Sequence, residues 1–225
     1  MKKDSIGNRM KTNYENRYRF KLTRRTPVIM RLDGKCFHSL TKRMEKPFDY
    51  KFMSDMDWTA KSLLEQIQGA KCAYIQSDEI SILITDFDRF NTDAWFDYNI
   101  QKMCSVGASM ATVEFNSKTG LGGLFDARVF NIPKEEINNY FIWRQQDWVR
   151  NSIFMFASSF YSNKDLFKKN QVDIHEMLHK KGENWANLPD RAKNGGFFYG
   201  SNIYSDSMIF TKSRVIEGLL QPEEE

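Results

Sequence analysis

Two stretches decide the fold: Pro27-Val28-Ile29-Met30-Arg31-Leu32-Asp33-Gly34, and Ala73-Tyr74-Ile75-Gln76-Ser77-Asp78-Glu79, which runs straight into Ile80-Ser81-Ile82-Leu83-Ile84. Short apolar runs bounded by polar or glycine residues read as buried strands. Each run delivers a carboxylate at the point where its apolar residues stop. Strands that end together would bring Asp33 and Asp78 within reach of shared Mg²⁺ ions, the minimum equipment for two-metal phosphoryl or nucleotidyl transfer. Glycine lets backbone approach closely, so the Gly34 carbonyl is a further candidate ligand. Glu79 follows Asp78, and neighbours in a strand point to opposite faces. It is therefore expected behind the ligands, not among them.

Outward from these runs, Asp49 is a good helix cap, and Phe52, Met53, Met56, Ala60, Leu63, Leu64 and Ile67 recur at helical spacing up to Gly69. Residues 71–77 and 80–85 read as a hairpin with Ser77-Asp78-Glu79 at its tip. A second helix is predicted over 92–112. Gly120-Leu121-Gly122-Gly123 then turns the chain into a strand at 125–130, and Pro133 opens a long helix to about residue 161, with Glu135 and Glu136 in its first turn. A shorter helix covers 172–181, and the end of the chain alternates aromatics and small residues, as short strands would. The order β-α-β-β-α-β followed by helices predicts an α+β chain with a ferredoxin-like split βαβ sheet, as in polymerase palms. It is expected to be one catalytic palm domain over 1–225, with its core about 27–135 and a C-terminal embellishment of helices and short strands. Nucleotide cyclases and noncatalytic RNA-binding modules use the same sheet, so the fold alone does not choose among them.

Composition narrows the class. With 225 residues, 41% of them hydrophobic, the chain can build a substantial core without disulfides. Cys36, Cys72 and Cys104 are scattered, odd in number and form no C-x-x-C pair, which suggests neither a disulfide framework nor a zinc knuckle and suits a reducing, cytoplasmic setting. No signal peptide or membrane-spanning run is expected. The formal charge of +4 is mild. Basic residues gather at Arg17, Arg19, Lys21, Arg24 and Arg25 and again at Lys164, Lys168, Lys169, Lys180 and Lys181, although charge alone favours an ordinary solvated surface. Arg31, Lys35, His38, Lys42 and Lys46 surround the first carboxylate motif, as a triphosphate site would need, and Ser77 and the amides of residues 34–38 are candidates for phosphate oxygens. The pentapeptide His175-Glu176-Met177-Leu178-His179 matches H-E-x-x-H. The only other histidine is remote and the helix is short and flanked by lysines, so an exposed pair on an amphipathic helix accounts for it better than a zinc peptidase.

Taken together, these motifs resemble one family. Arg31-Leu32-Asp33-Gly34-Lys35-Cys36-Phe37-His38 is similar to the R-x-D-G-x-x-F-H signature of the tRNA(His) guanylyltransferases, the 3′–5′ nucleotide-adding polymerases, and Lys46-Pro47 follows at that family's spacing. Gln76-Ser77-Asp78-Glu79 resembles its second carboxylate motif, and 125–129 its F-D-x-R-V strand. Residues 143–147 resemble its W-R-Q-x-D helix, while 184–189 and Lys193-Asn194-Gly195 resemble its ending. The resemblance spans residues 27 to about 200.

It implies a homotetramer that adds nucleotides to the 5′ end of tRNA, using two Mg²⁺ ions, nucleoside triphosphates and ATP or GTP as activator. Asp33, Gly34 and Asp78 would hold metal, with His38 and Lys46 acting in 5′-end activation. Lys35, Cys36, Phe37, His38, Ser77 and Lys102 would bind nucleotide, and Asn151, Lys193 and Arg128 would meet the RNA 5′ end. Val149-Arg150-Asn151-Ser152 stands where members specific for tRNA(His) carry H-I-N-N. That departure points to the branch that resembles template-dependent 5′-end repair enzymes, with G−1 addition to tRNA(His) as the alternative. Asn99 also stands where many members carry arginine. A noncatalytic RNA binder is the alternative of another class, but such a binder gains nothing from acids facing phosphate.

Overall fold

A computed structural model describes residues 5–199, 203–204 and 209–211. Its centre is an antiparallel sheet ordered β4-β1-β3-β2-β5-β6, from strands β1 (Val28–Gly34), β2 (Ala70–Gln76), β3 (Glu79–Ile84), β4 (Phe125–Asn131), β5 (Gly196–Tyr199) and β6 (Ile203–Tyr204). The 4-1-3-2 core is the split βαβ order predicted from the sequence. β1 and β3 are flanked by other strands on both edges and covered on both faces. Their near-continuous apolar runs follow from that position.

Side-chain alternation sends Val28, Met30, Leu32, Ile80, Ile82 and Ile84 to one face, where α3 (Tyr50–Gln66) and α4 (Ile100–Thr119) cover them. Each such fully buried side chain contributes about 1.5–3 kcal/mol. Asp49 caps α3 by accepting from the Phe52 N–H at 2.8 Å, as its sequence position predicts. Gly107 lets α4 close on β1, since a Cβ there would meet the Met30 sulfur at 2.8 Å. The opposite face carries Ile29, Leu83, Cys72 and Tyr74 against α5 (Ile137–Ala157). The far half of α5 forms a third cluster with α6 (Asn163–Leu166), α7 (Gln171–Lys180) and α8 (Asp190–Asn194). Two further short elements are α1 (Ile6–Asn13) and α2 (Phe37–Leu40). No helix among the described residues is long and apolar enough to cross a membrane.

The helix predicted over 92–112 is displaced: α4 occupies 100–119. Trp95 and Tyr98 are buried from a separate 3-10 turn, in which Phe96, Asp97 and Tyr98 take positive φ. Those values break helical continuity, and the Asn99 side chain restarts it by accepting from the Lys102 N–H at 3.0 Å. At its other end α4 runs on to Gly120, whose φ of 68° makes the left-handed cap. The long helix after Pro133 begins with a 3-10 turn at Lys134–Glu136 and ends at Ala157, four residues short of the expected limit.

Candidate active site

The two carboxylate motifs meet at one end of the sheet. β2 and β3 are joined by the two-residue reversal Ser77-Asp78, with Ser77 in the left-handed region at φ 48°. The Gly34 N–H donates to the Asp78 carbonyl at 3.2 Å, pinning the hairpin tip to the end of β1. A Cβ on Gly34 would lie 2.8 Å from Asp78 Oδ2 and 2.6 Å from Phe37 Cγ. The Asp78 carboxylate therefore rests against bare glycine backbone, one residue from Asp33. Burial pushes the Asp78 carboxyl up from its ordinary value. The Asp33 charge adds to this, while hydrogen bonds from its own backbone and from Ser77, and His38, oppose it. Two adjacent carboxylates with so little compensating charge, beside a backbone carbonyl, make an all-oxygen donor set suited to a hard divalent cation.

Behind this pair stands a charged network. Asp33 is in register with Glu79 on β3 and with Asp126 on β4. Residues directly opposed across an antiparallel ladder share a face, so Glu79 lies on the same face as Asp33, on the α5 side. Arg144 clamps it there, with Nε to Oε1 and Nη2 to Oε2 both at 2.8 Å. Arg144 also reaches Asp147 at 3.1 Å, and Arg150 meets the same carboxylate at 2.8 Å. Ser81 exchanges a 2.8 Å bond with the Tyr140 hydroxyl, which burial pushes up to about 12. The Arg144 role has only a faint signal in sequence, an Arg-x-x-Asp pair on an otherwise apolar helix.

The remaining candidates divide. His38, Lys35 and Cys36 are exposed around the start of α2, next to Gly34. The Lys35 N–H is already bonded to the Leu124 carbonyl at 2.7 Å, and that of Gly34 to Asp78, so neither amide is open to phosphate. Lys46 and Ser77 line one cavity of about 60 Å³ with Thr41, Phe48, Met53 and Trp148, and Lys46 Nζ donates to the Thr41 carbonyl at 3.3 Å. Arg128 is in register with Arg31, one row behind Asp33, and its guanidinium meets Asp126 at 3.2 Å. Asn151 is exposed on α5, one turn beyond Asp147.

Two expectations need correction. Phe37 is 3% exposed, with its ring 5.2 Å from Phe115 and 5.1 Å from Phe125, so its side chain is core and does not face nucleotide. Lys102 sits in the first turn of α4. That turn is tied to Phe20, whereas Phe115, about 20 Å further along the helix, is what lies beside Phe37. The structure thus places Lys102 at the end of the sheet away from Asp33. Lys193 donates to the Ala186 carbonyl at 3.0 Å and pairs with Asp190 at 3.1 Å, holding its own loop together. As for the H-E-x-x-H helix, His175 packs on Trp185, with ring centroids 5.9 Å apart. No group of three metal-ligating side chains gathers among the described residues.

An antiparallel 4-1-3-2 sheet with acids at the end of β1 and at the β2–β3 tip is the arrangement of a palm-type nucleotidyltransferase. The family model for tRNAHis guanylyltransferase (Thg1) matches residues 7–133. Two solved structures of a bacterial tRNA(His) guanylyltransferase (Thg1)-like protein, one with ATP and one with GTP, are each 41% identical and cover 96% of this chain and 99% of theirs. Their TM-scores are 0.91 and 0.84. The tRNA(His) guanylyltransferase of Debaryomyces hansenii is 31% identical over 57% of this chain and 52% of its own length. The chain belongs to the tRNA(His) guanylyltransferase family, whose members are nucleotidyltransferases.

Proposed function

We propose that this chain is a Mg²⁺-dependent 3′–5′ nucleotidyltransferase that repairs tRNA 5′ ends by templated addition. The observation that carries the reading is the convergence of Asp33, the Gly34 backbone and Asp78 at one end of the sheet. Asp33, Asp78 and the Gly34 carbonyl would hold the metal. When bound, a divalent cation neutralises charge on phosphate and favours attack at phosphorus.

The chain's own groups bind and orient. His38, Lys35 and Lys46 lie on the loop that borders the carboxylates; the two lysines supply cations that offset the charge of a triphosphate, and the His38 imidazole brings a hydrogen-bonding group. Solved structures of a similar protein with ATP and with GTP support nucleotide binding. In the balanced reaction, a 5′-monophosphate displaces pyrophosphate from ATP or GTP. The 3′-hydroxyl of the incoming nucleotide then attacks the activated 5′ phosphate and releases the nucleoside monophosphate.

The repair reading is favoured over G−1 addition by the fate of the position where specific members carry the last asparagine of H-I-N-N. Here Ser152 is fully buried, donates to the Ala192 carbonyl at 2.8 Å and accepts from the Trp185 indole at 2.9 Å. It joins α5 to α8 instead of facing RNA. We assign the protein to the cytoplasm, on its free cysteines, and to a homotetramer. The test is incubation with a tRNA lacking its first nucleotide, nucleoside triphosphates and Mg²⁺, with an active relative alongside. Full-length product is expected. Its absence while the relative succeeds refutes the reading, and addition of G only to full-length tRNA(His) assigns the alternative.

A further inference from the structure

The outer side of α5 carries a groove of about 670 Å³ that the chemistry above does not use. Its walls include Trp143, Gln146, Val149, Arg150, Gln171 and Asn194. Trp143 is 49% exposed, unusual for so large an apolar ring. Its edge packs on Tyr140, with centroids 5.8 Å apart, and the Arg144 guanidinium carbon sits 4.5 Å from its ring centroid. Arg144 is itself fixed by Glu79, so the indole is rigid before any ligand arrives. Gln146, Gln171 and Asn194 have no side-chain hydrogen bond within the described residues and bring three carboxamides to the groove. Arg150 brings a cation, half-compensated by Asp147. A preorganised aromatic plane, free carboxamide edges and one cation match an unstacked nucleobase and its phosphate, since single-stranded bases are bound by stacking and by hydrogen bonds to their edges. Ile142, Ile209 and Phe210 add apolar wall to Trp143 and Val149, but a peptide or lipid occupant would leave the three carboxamides and the Arg150 cation without a match.

Position selects which nucleotides. The Arg31 guanidinium carbon lies 6.0 Å from the Trp143 ring, and Arg31 precedes Asp33 by two residues, about 7 Å along β1. The groove therefore opens next to the carboxylate site. At the acceptor end of a tRNA, the paired 5′ terminus and the unpaired 3′ tail leave the same end of the helix. We infer that this groove holds the unpaired 3′-terminal nucleotides of the RNA whose 5′ end is at Asp33, with Trp143 as the stacking platform. The assignment rests on the proposed function for its substrate.

The test is equilibrium binding of two acceptor-stem duplexes, one with a four-nucleotide 3′ overhang and one blunt, to the full chain and to Trp143→Ala and Trp143→Phe. Nucleotide addition is followed in the same samples, and ATP binding and melting serve as checks on folding. The overhang should strengthen binding to the wild type about tenfold, the scale of one base stacked on an aromatic ring. That advantage should vanish in Trp143→Ala and largely return in Trp143→Phe, and Gln146→Ala with Gln171→Ala in the wild-type background should reduce it in part. Equal binding of blunt and overhung duplexes to the wild type overturns the assignment. So does an overhang advantage that survives in folded Trp143→Ala. Either result with nucleotide addition intact leaves the catalytic reading standing, whereas loss of addition with the Trp143-dependent advantage present would overturn the catalytic reading alone.

Discussion

Asp33 and Glu79 face each other in register across β1 and β3, two acids on one face of the sheet. Like charges directly opposed destabilise a ladder. The fold offsets this with Arg144, which holds both Glu79 oxygens, so that the repulsion is left to act between Asp33 and Asp78, where a cation would bind.

Removing Arg144 should therefore be felt first in stability. Arg144→Met leaves Glu79 buried without its ion-pair partner, at a cost of about 3–5 kcal/mol. Arg144→Lys should fall between, because an ammonium cannot make two parallel bonds to one carboxylate. Pairing Arg144→Met with Glu79→Met should restore much of the loss. Urea denaturation of the four proteins measures this, and wild-type behaviour from Arg144→Met would show that the buried pair contributes nothing.

The carboxylates at the sheet end make the opposite prediction. Asp33→Ala and Asp78→Ala should each reduce nucleotide addition by about a thousandfold or more while the far-ultraviolet circular dichroism and cooperative melting persist. Residual addition near the wild-type rate in either variant would refute the metal assignment.

Asp78 also predicts a pH dependence. Its carboxyl titrates above the ordinary carboxylate value in the folded chain, through burial first and the Asp33 charge in support. The folded state then binds the proton more tightly than the unfolded state. Its stabilising contribution is complete below the unfolded value and is lost as pH rises through the folded one. Asp78→Asn abolishes that loss. With metal chelated, the variant should be more stable than the wild type at neutral pH, and the difference should shrink as pH falls into the carboxylate range. Denaturation curves from pH 4 to pH 8 test the sign.

The strands and their order were legible because β1 and β3 are buried on both faces, so apolar runs ended where the sheet ended. The meeting of Asp33, Gly34 and Asp78 at one end of the sheet was legible for the same reason. The start of α4 was not. Trp95 and Tyr98 supply helical spacing, but their backbone is held by the loop at Phe20–Leu22, a tertiary bond that no local pattern announces. The position of Lys102 was lost with it. Nor does composition separate Phe37 from its exposed neighbours His38 and Cys36. Only the packing of α3, α4 and β4 shows that one of the three points inward. The two-bond partner of Glu79 lies 65 residues on and could be found only in space.

Gly34→Ala tests the closeness of the two motifs. A methyl group there would overlap both the Phe37 ring and Asp78 Oδ2. Relief requires the hairpin tip to move from β1, at about 1–3 kcal/mol for an overpacked position. The variant should melt lower and lose addition more than it loses ATP affinity. Full activity would mean that the tip is free to shift, and that Asp33 and Asp78 need no fixed spacing.

Phe37 separates a structural from a binding role inside the most recognisable motif. Its ring fills the junction of α3, α4 and β4, touching Phe52 and Phe115, and a Cβ on Gly123 would lie 2.8 Å from it. Phe37→Ala should cost about 3–5 kcal/mol, with a smaller loss for Phe37→Leu. Because the ring points away from the exposed surface of α2, ATP affinity of Phe37→Leu, measured well below its melting temperature, should stay within about twofold of wild type. His38→Ala should do the reverse, leaving the melting temperature unchanged and weakening activation of the 5′ end. If Phe37→Leu lost ATP affinity without losing stability, the ring would belong to the nucleotide site and the packing account of α2 would be wrong.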